Sequence, residues 1–253
     1  MNKGKIMNNI GFTSVTFRKK SFDEVLKIAK DANINCLEIG GDVHLPDDNI
    51  EYAKEIKRSL DISNMKAVSY GSYYRVGEKD FERFDRICQI SDIIGSKLIR
   101  IWLGEKSSKK TSTNEFLEMV DEVKTLSDIA KKYNQTIGFE FHNNTFNDSA
   151  QSSNDFIAEC NEDNIKTYWQ PLYSGNDLEN LKSVLPNLVT AHIFHWAKSG
   201  RRFSLKRGKK LWKEYLDVIN MAGINCNFIL EFTKKDSEKQ FLKDVNMLKS
   251  LNS

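Results

Sequence analysis

Two glutamates lie inside apolar segments, where an ionised carboxylate needs a partner. Glu140 lies in the run "IGFEF" and Glu231 in the run "FILEF". Two carboxylates that share a partly dry site raise each other's pKa unless a cation lies between them. A divalent metal ion is the simplest such cation, and a site that also contains imidazole suits Mn, Fe, Co, Ni or Zn better than Ca. The two runs therefore indicate a metal centre.

Two of the four histidines, His192 and His195, lie within "NLVTAHIFHWAKSG" at residues 187–200. Residues three apart on a regular strand point to opposite faces, so the two imidazoles cannot face the same cavity. His192 is the better candidate for a metal ligand because it lies nearer the apolar run. His195 lies where the chain leaves the strand and could meet a substrate from the loop. The reverse assignment stays open.

Short apolar segments alternate with longer amphipathic segments along the whole chain. The short segments are rich in Ile, Val, Thr, Phe and Tyr, which favours strands. They span residues 10–17, 34–40, 65–70, 97–102, 136–141, 165–170, 188–194 and 226–232. Two of the amphipathic segments begin with capping boxes, Ser21 to Glu24 and Ser112 to Glu115. Further helices are predicted at residues 50–60, 80–94, 153–160, 177–184, 209–221 and 236–250.

The alternation of strands and helices implies a parallel sheet with right-handed crossovers. An open doubly wound sheet has the same alternation, but eight units in 253 residues match a closed barrel in length and number. The sequence therefore predicts an α/β protein with a single (β/α)8 TIM barrel over residues 1–253. Residues 1–9 are expected to form a leading or disordered segment.

Barrels of this kind place their active sites at the carboxyl ends of the strands. A single glutamate at a strand end is often a surface carboxylate or the partner of an arginine. Here, however, polar and aromatic residues follow nearly every predicted strand, and all four histidines are among them. These residues are Glu38, His44, Tyr70, Arg75, Arg100, Trp102, Glu140, His142, Trp169, Gln170, His192, His195 and Glu231.

The chain resembles the xylose isomerase-like TIM-barrel family of sugar isomerases, epimerases and inosose dehydratases, whose superfamily also contains zinc endonucleases that act at abasic sites. The resemblance covers essentially the whole chain through "LEIGGDVHLP", "IRIWLG", "GFEFHNNT", "TYWQP", "HIFHW" and "ILEF". It implies one divalent ion (Mn, Co, Zn or Mg) held by Glu140, Gln170, His192 and Glu231. Gln170 stands where the family's epimerases usually have an acid, so weaker metal binding is expected.

The resemblance also implies a proton-transfer mechanism. Glu140 and Glu231 would act as acid and base, while the metal polarises a carbonyl and its neighbouring hydroxyl to give an ene-diolate. The substrate is then a sugar, a sugar phosphate or a related polyol, which is isomerised or epimerised. The residues expected to bind it are Glu38, His44, Arg100, Trp102, His142, Trp169, His195 and Arg202.

The segment "KSGRRFSLKRGKK" after the seventh strand is strongly basic. It is either a solvated loop that leads into a helix or an anion site, because loops after strands seven and eight of such barrels often bind phosphate. Arg201 and Arg202 are the candidates for an anion site, and Arg75 is a weaker third.

Composition narrows the class of protein. The 38 basic and 35 acidic residues leave a net charge of +3, which is low for a nucleic-acid-binding protein. The four cysteines are far apart and fit no metal or redox motif, and no apolar run is long enough to span a membrane. We therefore expect a cytoplasmic protein with a small-molecule partner and no nucleic-acid or membrane partner. A homo-oligomer is compatible with the sequence.

Three other functions stay open. A carbohydrate-binding barrel without turnover would carry Gln170 as the mark of a degenerate metal site. An inosose-type dehydratase removes an α-proton and then a β-hydroxyl, and needs nearly the same residues. A zinc endonuclease needs a cluster of about three zinc ions, and four histidines together with Gln170 supply too few ligands for it.

Overall fold

The computed structural model describes residues 8–173, 175–197 and 199–252, and these residues form a closed barrel of eight parallel strands. Neighbouring strands pair in sequence order, and the last strand pairs with the first. The strands are β1 (Ile10–Thr13), β2 (Cys36–Gly40), β3 (Lys66–Arg75), β4 (Leu98–Trp102), β5 (Thr136–Phe139), β6 (Ile165–Trp169), β7 (Leu188–Ile193) and β8 (Asn227–Leu230). The predicted TIM barrel is confirmed. Residues 1–7 of the predicted leading segment lie outside the described residues.

A helix follows each strand and packs on the outside of the barrel. The helices are α1 (Phe22–Asp31), α2 (Ile50–Ile62), α3 (Phe81–Ile93), α4 (Thr113–Lys131), α5 (Ala150–Cys160), α6 (Asp177–Val184), α7 (Lys209–Ala222) and α8 (Glu238–Asn252). Both predicted capping boxes are present, at Ser21 before α1 and at Ser112 before α4. Among the described residues, no helix is both long and apolar enough to cross a membrane.

Two strands differ from the prediction at the end of the barrel where the site lies. β1 is short because residues 14–17 turn into a 3-10 helix, and the hydroxyl of Ser14 accepts a hydrogen bond from the backbone of Gly40 at 3.0 Å. β3 is longer than predicted and reaches Arg75. Its pairing with β4 shifts register between Gly71 and Arg75, and such an irregularity redirects the side chains that it contains.

The interior of the barrel is more polar than is usual for this fold, in which branched aliphatic residues dominate. Thr13, Glu38, Ser69, Tyr168 and Thr190 are all buried there. The hydroxyl of Ser69 donates to Oε2 of Glu38 at 2.7 Å. Burying polar side chains does not stabilise a hydrophobic core. We therefore expect these residues to support a functional site at the carboxyl ends of the strands.

A buried carboxylate fixes the loop after β3 to the outer helices. Oε1 of Glu122, on α4, accepts hydrogen bonds from the hydroxyl of Tyr74 at 3.1 Å and from the backbone of Lys79 at 3.1 Å. Oε2 accepts one from the backbone of Gly77 at 2.6 Å. Two backbone donors from the loop and one hydroxyl from the end of β3 therefore meet a single side chain, and the loop is held against α4.

Candidate active site

Four buried side chains converge at the carboxyl ends of β5 to β8. Glu140, Gln170 and Glu231 each directly follow the last residue of a strand, and His192 is the fifth residue of β7. The Nδ1 atom of His192 lies 3.5 Å from Oε1 of Glu140 and 3.7 Å from Oε2 of Glu231. The same atom lies 3.3 Å from Oε1 of Gln170. We call these four residues the ligand cluster.

The orientation of Gln170 is fixed by its amide nitrogen. Nε2 donates a hydrogen bond to the backbone carbonyl of Phe141 at 2.6 Å. This bond fixes Nε2 on the side of Phe141 and Oε1 on the opposite side, because the carbonyl oxygen of Phe141 can accept a hydrogen bond from NH2 but not from another oxygen. The Oε1 atom is therefore directed at His192 and is available as a ligand.

A second group of side chains holds the ligand cluster in place. The guanidinium of Arg100 and the indole of Trp102 both donate to Oε2 of Glu140, at 2.8 and 2.5 Å. Arg100 also lies 3.7 Å from Oε1 of Glu38. The Nε2 atom of His192 lies 3.3 Å from the same oxygen. A carboxylate behind an imidazole fixes its tautomer and ring orientation, which is the usual support for a metal-binding histidine.

The charges of this region do not balance among the described residues. Glu38, Glu140 and Glu231 are fully or almost fully buried, and Arg100 is the buried cation beside them. Three carboxylates and one guanidinium leave two negative charges. One divalent cation would neutralise them, even though the side chain from β6 is the uncharged Gln170.

Where no cation is bound, protonation of these side chains reduces the excess negative charge. Burial raises the pKa of Glu231 to about 7, although the nearby His192 offsets part of the rise. Burial alone would lower the pKa of His192, but the carboxylates of Glu231 and Glu38 outweigh it and raise the value to about 10. Burial would likewise raise the pKa of Glu140, yet Arg100 outweighs it and lowers the value to about 2.

The spacing of the ligand cluster fits a first-row metal ion. Oxygen and nitrogen ligands lie about 2.1 Å from such an ion, so that neighbouring ligands of a tetrahedral site are roughly 3.4 Å apart. The three distances from Nδ1 of His192 fall between 3.3 and 3.7 Å. Glu140, His192 and Glu231 also offer ligand atoms that all lie within 4.8 Å of one another. The residues present therefore suit a divalent ion.

A pocket of about 330 Å³ adjoins the ligand cluster at Gln170. Its walls come from the loops after β5, β6 and β7, and several of them are aromatic. They include His142, Tyr173, Phe194 and Trp196. The ring of His142 also lies 5.6 Å from that of Trp102. The pocket is large enough for a small molecule, and its position brings one end of that molecule to the ligand cluster.

The family model of the xylose isomerase-like TIM barrel matches residues 26–251. The chain belongs to this family. A curated relative, 3-dehydroshikimate dehydratase of Bacillus anthracis, is 21% identical over 163 residues, which are 60% of this chain and 58% of that protein. The match therefore leaves about two fifths of the relative's length unaccounted for.

Solved structures share the fold over nearly the whole chain. The probable 3-DHS dehydratase AsbF of Bacillus anthracis superimposes with a TM-score of 0.83 at 16% identity, covering 96% of this chain and 99% of that one. D-psicose 3-epimerase of Clostridium cellulolyticum H10 gives 0.78 at 13% identity, covering 97% and 99%. A xylose isomerase-like protein of Mycobacterium smegmatis, solved in complex with magnesium, gives 0.75 at 13% identity, covering 98% of both chains.

Two histidines expected at the site of this xylose isomerase-like barrel lie elsewhere. The ring nitrogens of His44 lie 2.9 Å from the hydroxyl of Ser14 and 3.0 Å from the backbone carbonyl of Lys20, so that both are engaged in bracing loops. His195 faces the start of α7, where a Cβ on Gly208 would come within 2.6 Å of its Nδ1. Neither the imidazole of His44 nor that of His195 joins the ligand cluster. His192 and His195 point in different directions, as expected for residues three apart in the sequence.

Trp169 and Arg202 also differ from the expectation. Trp169 is fully buried on the outer face of β6 and packs against Trp212 and Tyr215 of α7, so its indole belongs to the layer between barrel and helices. Arg202 lies at the mouth of the barrel, paired with Asp236 at 2.5 Å. The guanidinium of Arg201 instead lies over Phe203. The two arginines therefore do not converge on one anion site.

The sequence did not single out three aromatic residues at the mouth. Tyr73 follows the register shift in β3, Tyr173 lies in the pocket wall, and Phe232 directly follows Glu231. The run "YGSYYR" drew attention to Tyr70 instead, whose hydroxyl donates to the carbonyl of Leu45 outside the site. Only an irregular backbone brings Tyr73 inward, and sequence patterns do not show such irregularity.

Proposed function

We propose that this protein is a divalent-metal-dependent enzyme that moves a proton on the carbon next to a carbonyl, acting on a small sugar or related polyol as an isomerase or epimerase. The observation that carries the proposal is the ligand cluster itself. Two carboxylates, an imidazole and an amide oxygen meet at the carboxyl end of the barrel, where this fold carries out chemistry, and Gln170 also lines the adjoining pocket. The D-psicose 3-epimerase that shares its fold supports the same class.

Glu140, Gln170, His192 and Glu231 would hold the ion, and an ion bound there would polarise the carbonyl of the substrate. Glu231 would take the proton from the neighbouring carbon, because Oε2 of the other glutamate, Glu140, is already engaged by Arg100 and Trp102. Arg100 and Trp102 would keep Glu140 ionised and fixed. Glu38 would orient the imidazole of His192.

Dehydration is a second candidate, favoured by the unequal environments of the two glutamates. Oε2 of Glu140 is occupied by Arg100 and Trp102, and the pKa of this residue is about 2, so it is a poor proton acceptor. Glu231 is then the one carboxylate suited to proton transfer. A single base can pass the α-proton to a β-hydroxyl on the same face, which leaves as water while a C=C bond forms. The relative named 3-dehydroshikimate dehydratase supports this alternative.

The test combines metal content with turnover. Protein purified without chelator is analysed by mass spectrometry beside Glu231→Gln, with Glu118→Gln as a control at an exposed carboxylate of α4. The proteins are then incubated in deuterated water with D-tagatose, with further ketoses and with 3-dehydroshikimate. Deuterium gain at the carbon next to the carbonyl is followed by NMR, and loss of water from 3-dehydroshikimate by absorbance.

The proposal requires about one transition metal per chain, with loss of metal or of exchange in Glu231→Gln only. Exchange into a ketose supports the isomerase or epimerase, whereas water loss without exchange supports the dehydratase. No metal after incubation with Mn²⁺, Co²⁺, Zn²⁺ or Mg²⁺ would contradict both. Binding of a sugar without any exchange would instead point to the carbohydrate-binding barrel.

We further propose a cytoplasmic location and a small-molecule partner rather than a nucleic acid. All four cysteines are free and buried, which suits a reducing compartment. Among the described residues, one group of three or more possible metal ligands is found, which is too few for a site of three zinc ions.

A further inference from the structure

Three aromatic residues at the mouth of the barrel have a backbone conformation that aromatic residues rarely adopt. The described residues include ten non-glycine residues with positive φ. Seven of them are asparagine, lysine or aspartate, and the others are Tyr73 (φ 59°), Tyr173 (φ 55°) and Phe232 (φ 48°). A bulky side chain in this left-handed region is strained, because its Cβ crowds the following carbonyl. Such strain persists where the surrounding structure demands it, and it is concentrated at functional sites.

All three residues lie at the same end of the barrel. Tyr73 is in the irregular part of β3, Tyr173 lies four residues after β6, and Phe232 lies two residues after β8. The other positive-φ positions are mostly helix ends and outer turns, such as Asn161 at the end of α5. Strain in aromatic residues is therefore confined to the face that carries the ligand cluster.

Tyr73 covers the two donors that hold Glu140. Its ring lies 5.2 Å from the guanidinium carbon of Arg100 and 5.3 Å from the ring of Trp102. Its hydroxyl lies 3.4 Å from Nη1 of Arg18. Burial raises the pKa of the Tyr73 hydroxyl.

Tyr173 and Phe232 lie on the opposite side of the mouth and are linked through Trp196. The hydroxyl of Tyr173 accepts a hydrogen bond from the backbone of Trp196 at 2.7 Å, and its ring lies 6.4 Å from that of Phe194. Phe232 lies 5.8 Å from the ring of Trp196. The indole Nε1 of Trp196 is shielded from solvent and has no hydrogen-bond partner, so one donor in this wall is left for a ligand.

We propose that Tyr73, Tyr173 and Phe232 form an aromatic clamp that positions the substrate over the ligand cluster and determines which substrates fit. This inference rests on the proposed function, since it concerns the mouth above the same ligand cluster. Tyr173 lines the pocket itself, Phe232 reaches it through Trp196, and Tyr73 borders it through Trp102, whose ring lies beside that of His142. The clamp binds the C–H face of a polyhydroxylated molecule against its rings, while the hydroxyl groups on the other edge reach the ligand cluster.

The test removes two of the three rings without adding strain. Asparagine tolerates the left-handed region, so Tyr173→Asn and Phe232→Asn delete the ring and relax the backbone together. Tyr173→Phe keeps the ring, and Lys79→Asn is the control at an exposed positive-φ position outside the pocket. Each protein is loaded with Mn²⁺ and titrated calorimetrically with D-tagatose and with 3-dehydroshikimate. Its Mn²⁺ affinity and its unfolding midpoint are measured separately.

The clamp predicts that the dissociation constant of the compound bound by the wild type rises roughly tenfold in Tyr173→Asn and in Phe232→Asn. Mn²⁺ affinity and the unfolding midpoint should stay close to the wild type, Lys79→Asn should bind normally, and Tyr173→Phe should bind more tightly than Tyr173→Asn. Unchanged dissociation constants, or no binding of either compound to the wild type, would overturn the clamp. Isotope exchange with unchanged binding in the variants would leave the proposed function standing without the clamp. Weakened binding in a wild type that shows no exchange would leave the clamp standing without the proposed function.

Discussion

Replacing Gln170 by glutamate tests whether the ligand cluster is built around a cation. Glu would restore the acidic residue usual at this position but would lose the amide that donates to the carbonyl of Phe141 at 2.6 Å. We expect the metal-free variant to be less stable than the wild type and to be rescued by Mn²⁺. The uncharged amide is then a compromise, which spares the metal-free protein a fourth buried carboxylate.

The expected magnitude has two parts. A buried carbonyl left without its donor costs about 1–3 kcal/mol. A carboxylate about 4 Å from another repels it by about 4 kcal/mol at an effective dielectric constant of ~20. Proton uptake limits this cost, because holding a glutamate neutral at pH 7 requires about 3.7 kcal/mol relative to its usual pKa. The free energy of unfolding should therefore fall by roughly 5–7 kcal/mol in the absence of metal.

Urea unfolding in EDTA and in saturating Mn²⁺ measures both effects. Gln135→Glu is the matched control, because Gln135 is also buried and its Nε2 donates to the carbonyl of Cys88 at 2.9 Å, away from the ligand cluster. The control should lose stability without rescue. In Gln170→Glu, Mn²⁺ should restore more stability than it adds to the wild type. A variant as stable as the wild type in EDTA, or one that gains no more from Mn²⁺, would refute the reasoning.

Four further predictions concern proton linkage and packing. His192 and Glu231 bind protons in the metal-free protein because their pKa values rise to about 10 and about 7. Mn²⁺ affinity should therefore increase with pH, and Mn²⁺ binding should release protons, which calorimetry in buffers of different ionisation enthalpy measures. An affinity independent of pH between 6 and 9 would contradict this. The raised pKa of His192 stabilises the metal-free protein fully below about pH 6.5, and this contribution should be lost as the pH rises through about 10. Trp169→Phe should lower the unfolding free energy by about 1–3 kcal/mol and leave substrate affinity unchanged, whereas a changed KM at normal stability would return this indole to the substrate pocket. Gly138→Ala should destabilise the barrel by about 1–3 kcal/mol in urea unfolding, because its Cβ would lie 2.5 Å from the ring of Tyr168, and a neutral result would show that this ring moves freely.

The barrel could be predicted from the sequence because the patterns that indicate its strands and helices are local. Alternating apolar runs and capping boxes such as that of Ser21 and Glu24 act within a few residues, and the predicted elements match the observed ones to within a few residues at most ends. β1 was predicted too long because residues 14–17, with Val15, Thr16 and Phe17, have side chains that favour a strand. They turn instead, since the hydroxyl of Ser14 accepts a hydrogen bond from the neighbouring strand.

The site was harder to predict because it depends on which face each side chain takes. Strand ends located Glu140, His192 and Glu231 correctly in the fold, since a strand's last inward position faces the barrel axis. The same reasoning wrongly selected Trp169 as a substrate-binding residue. Its neighbour Gln170 faces the barrel axis, whereas the indole of Trp169 packs against α7. The role of Glu38 as the carboxylate behind His192 depends on a contact between β2 and β7, and no local pattern encodes such a contact.

The anchoring of the β3 loop by Glu122 has a consequence for how a substrate is received. Because two backbone donors of this loop and the hydroxyl of Tyr74 are bound to one buried carboxylate, the side of the mouth that carries Tyr73 is expected to stay in place when a substrate binds. Any adjustment to the substrate is then expected in the loops after β6 and β7, where the backbone of Trp196 donates to the hydroxyl of Tyr173. The wall that carries Tyr73 would act as a fixed template.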